Sequence, residues 1–147
     1  MQDCIFCKIA KKEILGHILY EDEQVLAFLD ISQTTKGHTL IIPKQHSTDI
    51  FDTTPTTMEA VFAVTPRIAN ALKKTFKFDG LNMVNNSGVH AGQTVFHYHV
   101  HLIPRYALED TFDIKFSNNM KEYSIEKLAE LRELITSNLE VSESDEI

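Results

Sequence analysis

Three histidines alternate with other residues in His97-Tyr98-His99-Val100-His101, and Leu102-Ile103-Pro104 follows. Side chains of an extended chain alternate faces. The spacing therefore predicts three imidazoles on one face and Tyr98, Val100 and Leu102 on the other, toward a core. Each ring has two nitrogens that need partners when buried, which makes three in a row a poor choice for packing alone. A solvated strand face is the plain alternative; the clustering favours metal binding or catalysis. The outer two lie ~13 Å apart at ~3.3 Å per residue, too far to share one ion on a regular strand. Different jobs for the three rings are expected. Neutral imidazole, titrating at about pH 6.5, is a nucleophile at neutral pH if one nitrogen stays free.

A second group is Cys4-Ile5-Phe6-Cys7. CxxC supplies half of a tetrahedral zinc site. It also suits a redox pair, although the βαβ context of a thioredoxin-like motif is missing, or two unrelated thiols. Asp30 is a carboxylate at a strand end, which by itself reads as a solvated turn residue. The segment from Asn86 to Gln93 holds Gly88 and Gly92 and reads as a loop whose backbone lets a ligand approach closely. No GK[ST] occurs, so it is not a Walker loop.

The elements that must position these groups follow from periodicity. Ile5 to Lys12 reads as one or two helical turns. His17 to Glu21 and Gln24 to Asp30 read as strands joined by Glu21-Asp22-Glu23, and His38 to Pro43 as a third. Thr56 to Glu59 resembles a capping box. Met58, Val61, Phe62, Thr65, Ile68, Ala69, Leu72 and Phe76 then recur at helical spacing, with Pro66 predicting a kink. Leu81 to Asn85 and Val95 to Ile103 read as strands, the latter ending at Pro104. Ala107 to Tyr123 is irregular. Ser124 is expected to cap an amphipathic helix carrying Ile125, Leu128, Leu131, Leu134 and Ile135, and Val141 to Ile147 forms an acidic tail.

These motifs together resemble the histidine triad family. Beyond HxHxH, the matching segments are Phe28-Leu29-Asp30-Ile31, the run from Gly37 to His46, and Gly92-Gln93-Thr94-Val95. The resemblance runs from Cys4 to about Tyr106. It implies an α+β fold of the family's type: an antiparallel sheet of about five strands, a long helix and a short N-terminal helix packed on it, and a C-terminal helix. Residues 1–106 are expected to form the histidine triad domain. Residues 107–147 are expected to form a C-terminal extension within the same globular unit.

By resemblance His99 attacks an α-phosphorus to give a nucleotidyl-histidine, which water hydrolyses. The backbone carbonyl of His97 accepts from the ring of His99, and His101 faces the phosphate or assists the leaving group. Asn86, Gln93 and Thr94 are expected at the phosphate, Asp30 at the ribose hydroxyls, and Ile5, Phe6, Ile9, Phe28 and Ile31 around the base. On spacing alone those apolar residues are simply core. The bacterial-type branch implies a structural zinc held by Cys4, Cys7, His46 and His97. His38 is expected to line the catalytic face, with His17 and His90 on the surface.

The activity this implies is hydrolysis of adenine or other purine nucleoside phosphoramidates. Alternatives are hydrolysis of diadenosine polyphosphates and a non-catalytic zinc and nucleotide-binding scaffold. A branch that transfers a nucleotide to a sugar phosphate usually has a longer chain. The family also implies a homodimer, pairing through the long helix and a sheet edge.

Bulk properties set the remaining bounds. The 147 residues, 43% hydrophobic and 24% charged, make one domain's worth. A net charge of −7 argues against nucleic-acid binding through a basic surface. No apolar run approaches the ~20 residues of a membrane helix. No signal peptide is visible, so a cytoplasmic chain with reduced thiols is expected.

Overall fold

The computed structural model describes residues 3–107 and 110–139. The acidic tail expected beyond Val141 lies outside the described residues. Five strands form one antiparallel sheet: β1 (Ile18–Glu21), β2 (Val25–Leu29), β3 (Thr39–Pro43), β4 (Gly80–Val84) and β5 (Val100–Arg105), in the order β1-β2-β3-β5-β4. Helices α1 (Ile5–Ala10) and α2 (Pro55–Phe76) belong to the same unit, and α3 is Ile125–Ser137. The α+β class and the five-stranded sheet are those expected.

The sheet is covered on both faces, which explains why β2 and β3 are apolar throughout rather than alternating. Val25, Ala27, Ile41, Val100 and Leu102 pack with Val61, Ile68 and Leu72 of α2. Leu26, Phe28, Leu40 and Ile42 pack with Phe6 and Ile9 of α1. Alternation along β5 thus turns Val100 and Leu102 toward α2 and leaves His101 for the face that α1 covers.

Three boundaries differ from expectation. The N-cap of α2 is Thr54, whose side chain accepts from the Thr57 amide, with Pro55 in the first turn. Pro at that position costs nothing because its missing N–H would have no helical partner, and this moves the start two residues earlier than Thr56. The last strand begins at Val100, not Val95, so His97 and His99 precede the ladder. Pro104 lies within that strand, opposite Leu81, instead of ending it. The helix α2 continues through Pro66.

The chain divides into two compact units between Asp113 and Ile114. In the second unit Ser124 caps α3 by accepting from the Lys127 amide, and none of the helix's residues is buried. No helix among the described residues is long and apolar enough to cross a membrane.

Candidate functional site

His99 is held by the segment that leads into β5. Its Nδ1 lies 2.7 Å from the carbonyl oxygen of His97 and donates to it. That bond places the ring proton on Nδ1 and leaves Nε2 with a free lone pair. Burial lowers the His99 pKa below the ordinary imidazole value, against the opposing pull of the His97 carbonyl and Asp30. The ring is therefore neutral and nucleophilic at pH 7. Phe6 packs edge-on against it at 5.1 Å, and the His101 ring lies 5.0 Å away.

His101 is governed by His38. The Thr34 amide donates to His38 Nδ1 at 3.3 Å, so neutral His38 carries its proton on Nε2. That Nε2 lies 2.9 Å from His101 Nδ1 and donates to it. His101 then keeps its own proton on Nε2, as a donor. Burial, with the neighbouring His99 and His38, lowers the His101 pKa to about 4, and burial likewise lowers that of His38. Asp30 lies 3.7 Å from His38. Burial would raise its pKa, but two hydrogen bonds from Ser32 and the adjacent His38 and His101 outweigh that, so it stays ionised. The sequence puts His38 on this face but gives it no role.

The third ring, His97, belongs to a different cluster. Cys4 and Cys7 are free thiols at the two ends of the first turn of α1. With His46 Nδ1 and His97 Nδ1 their sulfurs form a set whose atoms all lie within 4.8 Å of one another. The separations are 3.3 Å from Cys4 Sγ to His97, 3.5 Å from Cys7 Sγ to each ring, and 3.2 Å between the rings. A tetrahedral zinc with two sulfur and two nitrogen ligands places its ligand atoms about 3.3 to 3.8 Å apart. His97 Nε2 donates to the Pro43 carbonyl at 2.7 Å, which leaves Nδ1 as the ligating nitrogen. These four residues fit a metal ion.

A cavity of about 360 Å³ opens beside Phe6, whose ring packs against His99. Ile5, Phe6, Ile9, Phe28, Asp30 and Ile31, all expected at the base or ribose, line it. Phe6, Ile9 and Phe28 are buried, whereas Ile5 and Ile31 are exposed. His17, read as a surface residue, is exposed but also lines this cavity. The phosphate-loop candidates sit differently. Gln93 is buried and its amide is spent within the protein, accepting from the Gly88 amide and donating to the carbonyls of Thr48 and Val95. Thr94 is exposed, and Asn86 is half-buried beside Gly92. Asn85, which no sequence motif singles out, donates to the His99 carbonyl at 2.9 Å.

An antiparallel sheet carries a buried imidazole with one bare nitrogen, and an apolar slot adjoins it. The HIT domain model matches residues 11–108. A HIT family protein from Bacillus anthracis is 51% identical, with a TM-score of 0.91 over 94% of this chain and 98% of that one. A Zn-bound histidine triad family protein from Mycobacterium smegmatis is 36% identical, with a TM-score of 0.72 over 93% of this chain and 99% of that one. The adenylylsulfatase HINT3 of Arabidopsis thaliana is 43% identical over 70% of this chain and 52% of its own length. The chain belongs to the HIT domain family, which includes nucleotide hydrolases.

Proposed function

We propose that this protein hydrolyses purine nucleoside phosphoramidates at the α-phosphorus through a nucleotidyl-histidine at His99. The observation that carries the reading is the bond from His99 Nδ1 to the His97 carbonyl, which leaves Nε2 bare in a neutral ring. Nε2 attacks phosphorus and the P–N bond breaks. The leaving amine takes its proton from solvent water, while His101 Nε2, whose other nitrogen is held by His38, donates a hydrogen bond to a phosphoryl oxygen. Water then attacks the phosphorus of the adduct and gives its proton to solvent, the bond from phosphorus to His99 Nε2 breaks, and the nucleoside monophosphate leaves. The apolar slot takes the base between Phe6, Ile9 and Phe28, with Ile5 and Ile31 at its lip. Asp30 accepts from the ribose hydroxyls, and Asn86, Gln93 and Thr94 form the phosphate loop.

The described residues lining the cavity include no lysine or arginine, which suits the slot to an uncharged base. The donor set of Cys4, Cys7, His46 and His97 is that of a structural zinc, which would tie α1 to the segment bearing the nucleophile. The homodimer and the cytoplasmic location implied by the family are part of the same proposal.

Steady-state assays of adenosine phosphoramidate and a diadenosine polyphosphate, run side by side, test it. The phosphoramidate is expected to have the higher kcat/KM, and acid-quenched protein should carry an AMP adduct. A preference for the dinucleotide would transfer the reading to that branch. Nucleotide binding with no turnover and no adduct would leave only a scaffold.

A further inference from the structure

We propose that Asn85 is a positioning residue for His99, standing in for a missing rung of the sheet so that Asn86 is free to serve the phosphate site. The proposal rests on the reading of His99 as nucleophile.

The register of β4 against β5 pairs Leu81 with Pro104, Asn82 with Ile103, Met83 with Leu102 and Val84 with His101. One further two-residue step along that register would set Asn86 opposite His99. The paired strand stops at Val84, and the backbone turns away into the loop of Gly88 and Gly92. The His99 carbonyl would lose its partner there, because a buried carbonyl without one is costly. Asn85 Nδ2 donates to it at 2.9 Å instead. The amide orientation is confirmed at its other end, where Ser87 Oγ donates to Asn85 Oδ1 at 2.8 Å. Ser87 Oγ in turn accepts from the Ile50 amide at 3.1 Å.

These bonds make a continuous strut: Ile50 backbone, Ser87 hydroxyl, Asn85 amide, His99 carbonyl. It runs from the loop that follows His46 to the nucleophile. The same loop is fixed at two more points, where the Tyr98 amide donates to the Ser47 carbonyl and Gln93 donates to that of Thr48. His99 is thus gripped twice, at its ring by His97 and at its carbonyl by Asn85. A side-chain rung permits what a backbone rung forbids: β4 ends at Val84, two residues short of the position opposite His99, while the segment bearing His99 stays aligned. Neighbouring asparagines then divide the work, Asn85 holding the protein and Asn86 facing the ligand.

The test compares Asn85→Ala and Asn85→Asp with wild type. Placement errors near reacting atoms cost roughly 10²-fold or less in rate. For Asn85→Ala, kcat with adenosine phosphoramidate is expected to fall roughly ten- to hundredfold, with KM and AMP affinity nearly unchanged. Asn85→Asp keeps the acceptor for Ser87 and loses the donor, so it should be as slow at neutral pH. Its activity relative to wild type should recover as pH falls and the carboxyl gains a proton to donate. A simple packing role would not produce that recovery. In nucleotide-free protein, NMR should show the His99 Nδ1 proton exchanging faster in Asn85→Ala. This readout needs no turnover, so it still tests Asn85 if wild type forms no adduct and the functional reading fails. Should Asn85→Ala not fold, Ser87→Ala removes one of the amide's two anchors, and a smaller fall in kcat is expected. A folded Asn85→Ala with wild-type kcat and unchanged His99 exchange would overturn the proposal, as would Ser87→Ala with both unchanged.

Discussion

His46 and His97 point their Nδ1 atoms at each other across 3.2 Å, with ring centroids only 4.9 Å apart and ring planes at 88°. His38 and His101 bring their nitrogens closer, to 2.9 Å, yet their centroids are farther apart, at 5.1 Å. The second pair lies end to end, as a hydrogen bond requires. The first is folded toward a common point, where Cys4 and Cys7 also converge. One pair shares a proton and the other is shaped to share an ion.

Purified protein is accordingly expected to carry about one zinc per chain. Cys7→Ser and His46→Ala should each lose it and lower the melting temperature, because the ion ties α1 to the His97 segment. Elemental analysis with thermal melts checks this. A metal-free wild type that melts at the same temperature as the holoprotein would refute it.

His99→Gly is expected to fold, to retain AMP binding largely intact and to lose turnover by several orders of magnitude. Mass spectrometry of quenched reactions should find the AMP adduct on wild type and none on the variant. If the variant keeps a tenth of the activity, the covalent step belongs to another residue, with His101 the next to test.

The acid limit of activity should lie well below the ordinary imidazole range. Burial lowers the pKa of His38 from 6.5 and takes that of His101 from 6.5 to about 4. A base with a lowered pKa stays neutral to lower pH, so the Thr34–His38–His101 arrangement persists through pH 6.5 and is lost only when these rings protonate. A pH profile of kcat/KM is expected to stay level across that value and decline further into acid. An acid limb centred at 6.5 or above would contradict it.

Gly37→Ala should destabilise the fold by about 1–3 kcal/mol, the usual cost of holding a residue in a sparsely populated backbone region. Gly37 has φ near +93°, and a Cβ there would meet the Phe76 ring at 3.1 Å and Pro104 at 3.3 Å. Urea denaturation measures it, and an unchanged midpoint would show that the turn relaxes freely.

Much of this site was legible because its chemistry sits in short local patterns. Alternating imidazoles, CxxC and the Gly-Gln-Thr loop are each a few residues long, and the strands around them follow from burial on two faces. The long-range partners were not legible. Nothing in residues 84–87 announces that Asn85 replaces a rung, because that depends on where β4 leaves β5. The tautomer of His38 depends on the Thr34 amide, a contact made by a turn whose shape no periodicity encodes. The β5 boundary failed for a related reason. Val95 to His99 is apolar and alternating enough to read as strand, yet the Tyr98 amide bonds to Ser47 rather than to a neighbouring strand.

The six residues of α1 have a thermodynamic consequence. The turn that presents Cys4 and Cys7 to the metal cluster also presents Phe6 and Ile9 to the cavity. Ordering that turn is a cost that either occupant meets in part for the other. An ion and a base bound there would be linked ligands, and linkage is reciprocal: whatever factor the metal adds to nucleotide affinity, the nucleotide would return to metal affinity. A chain loaded with nucleotide should hold its ion longer against a chelator than an empty one.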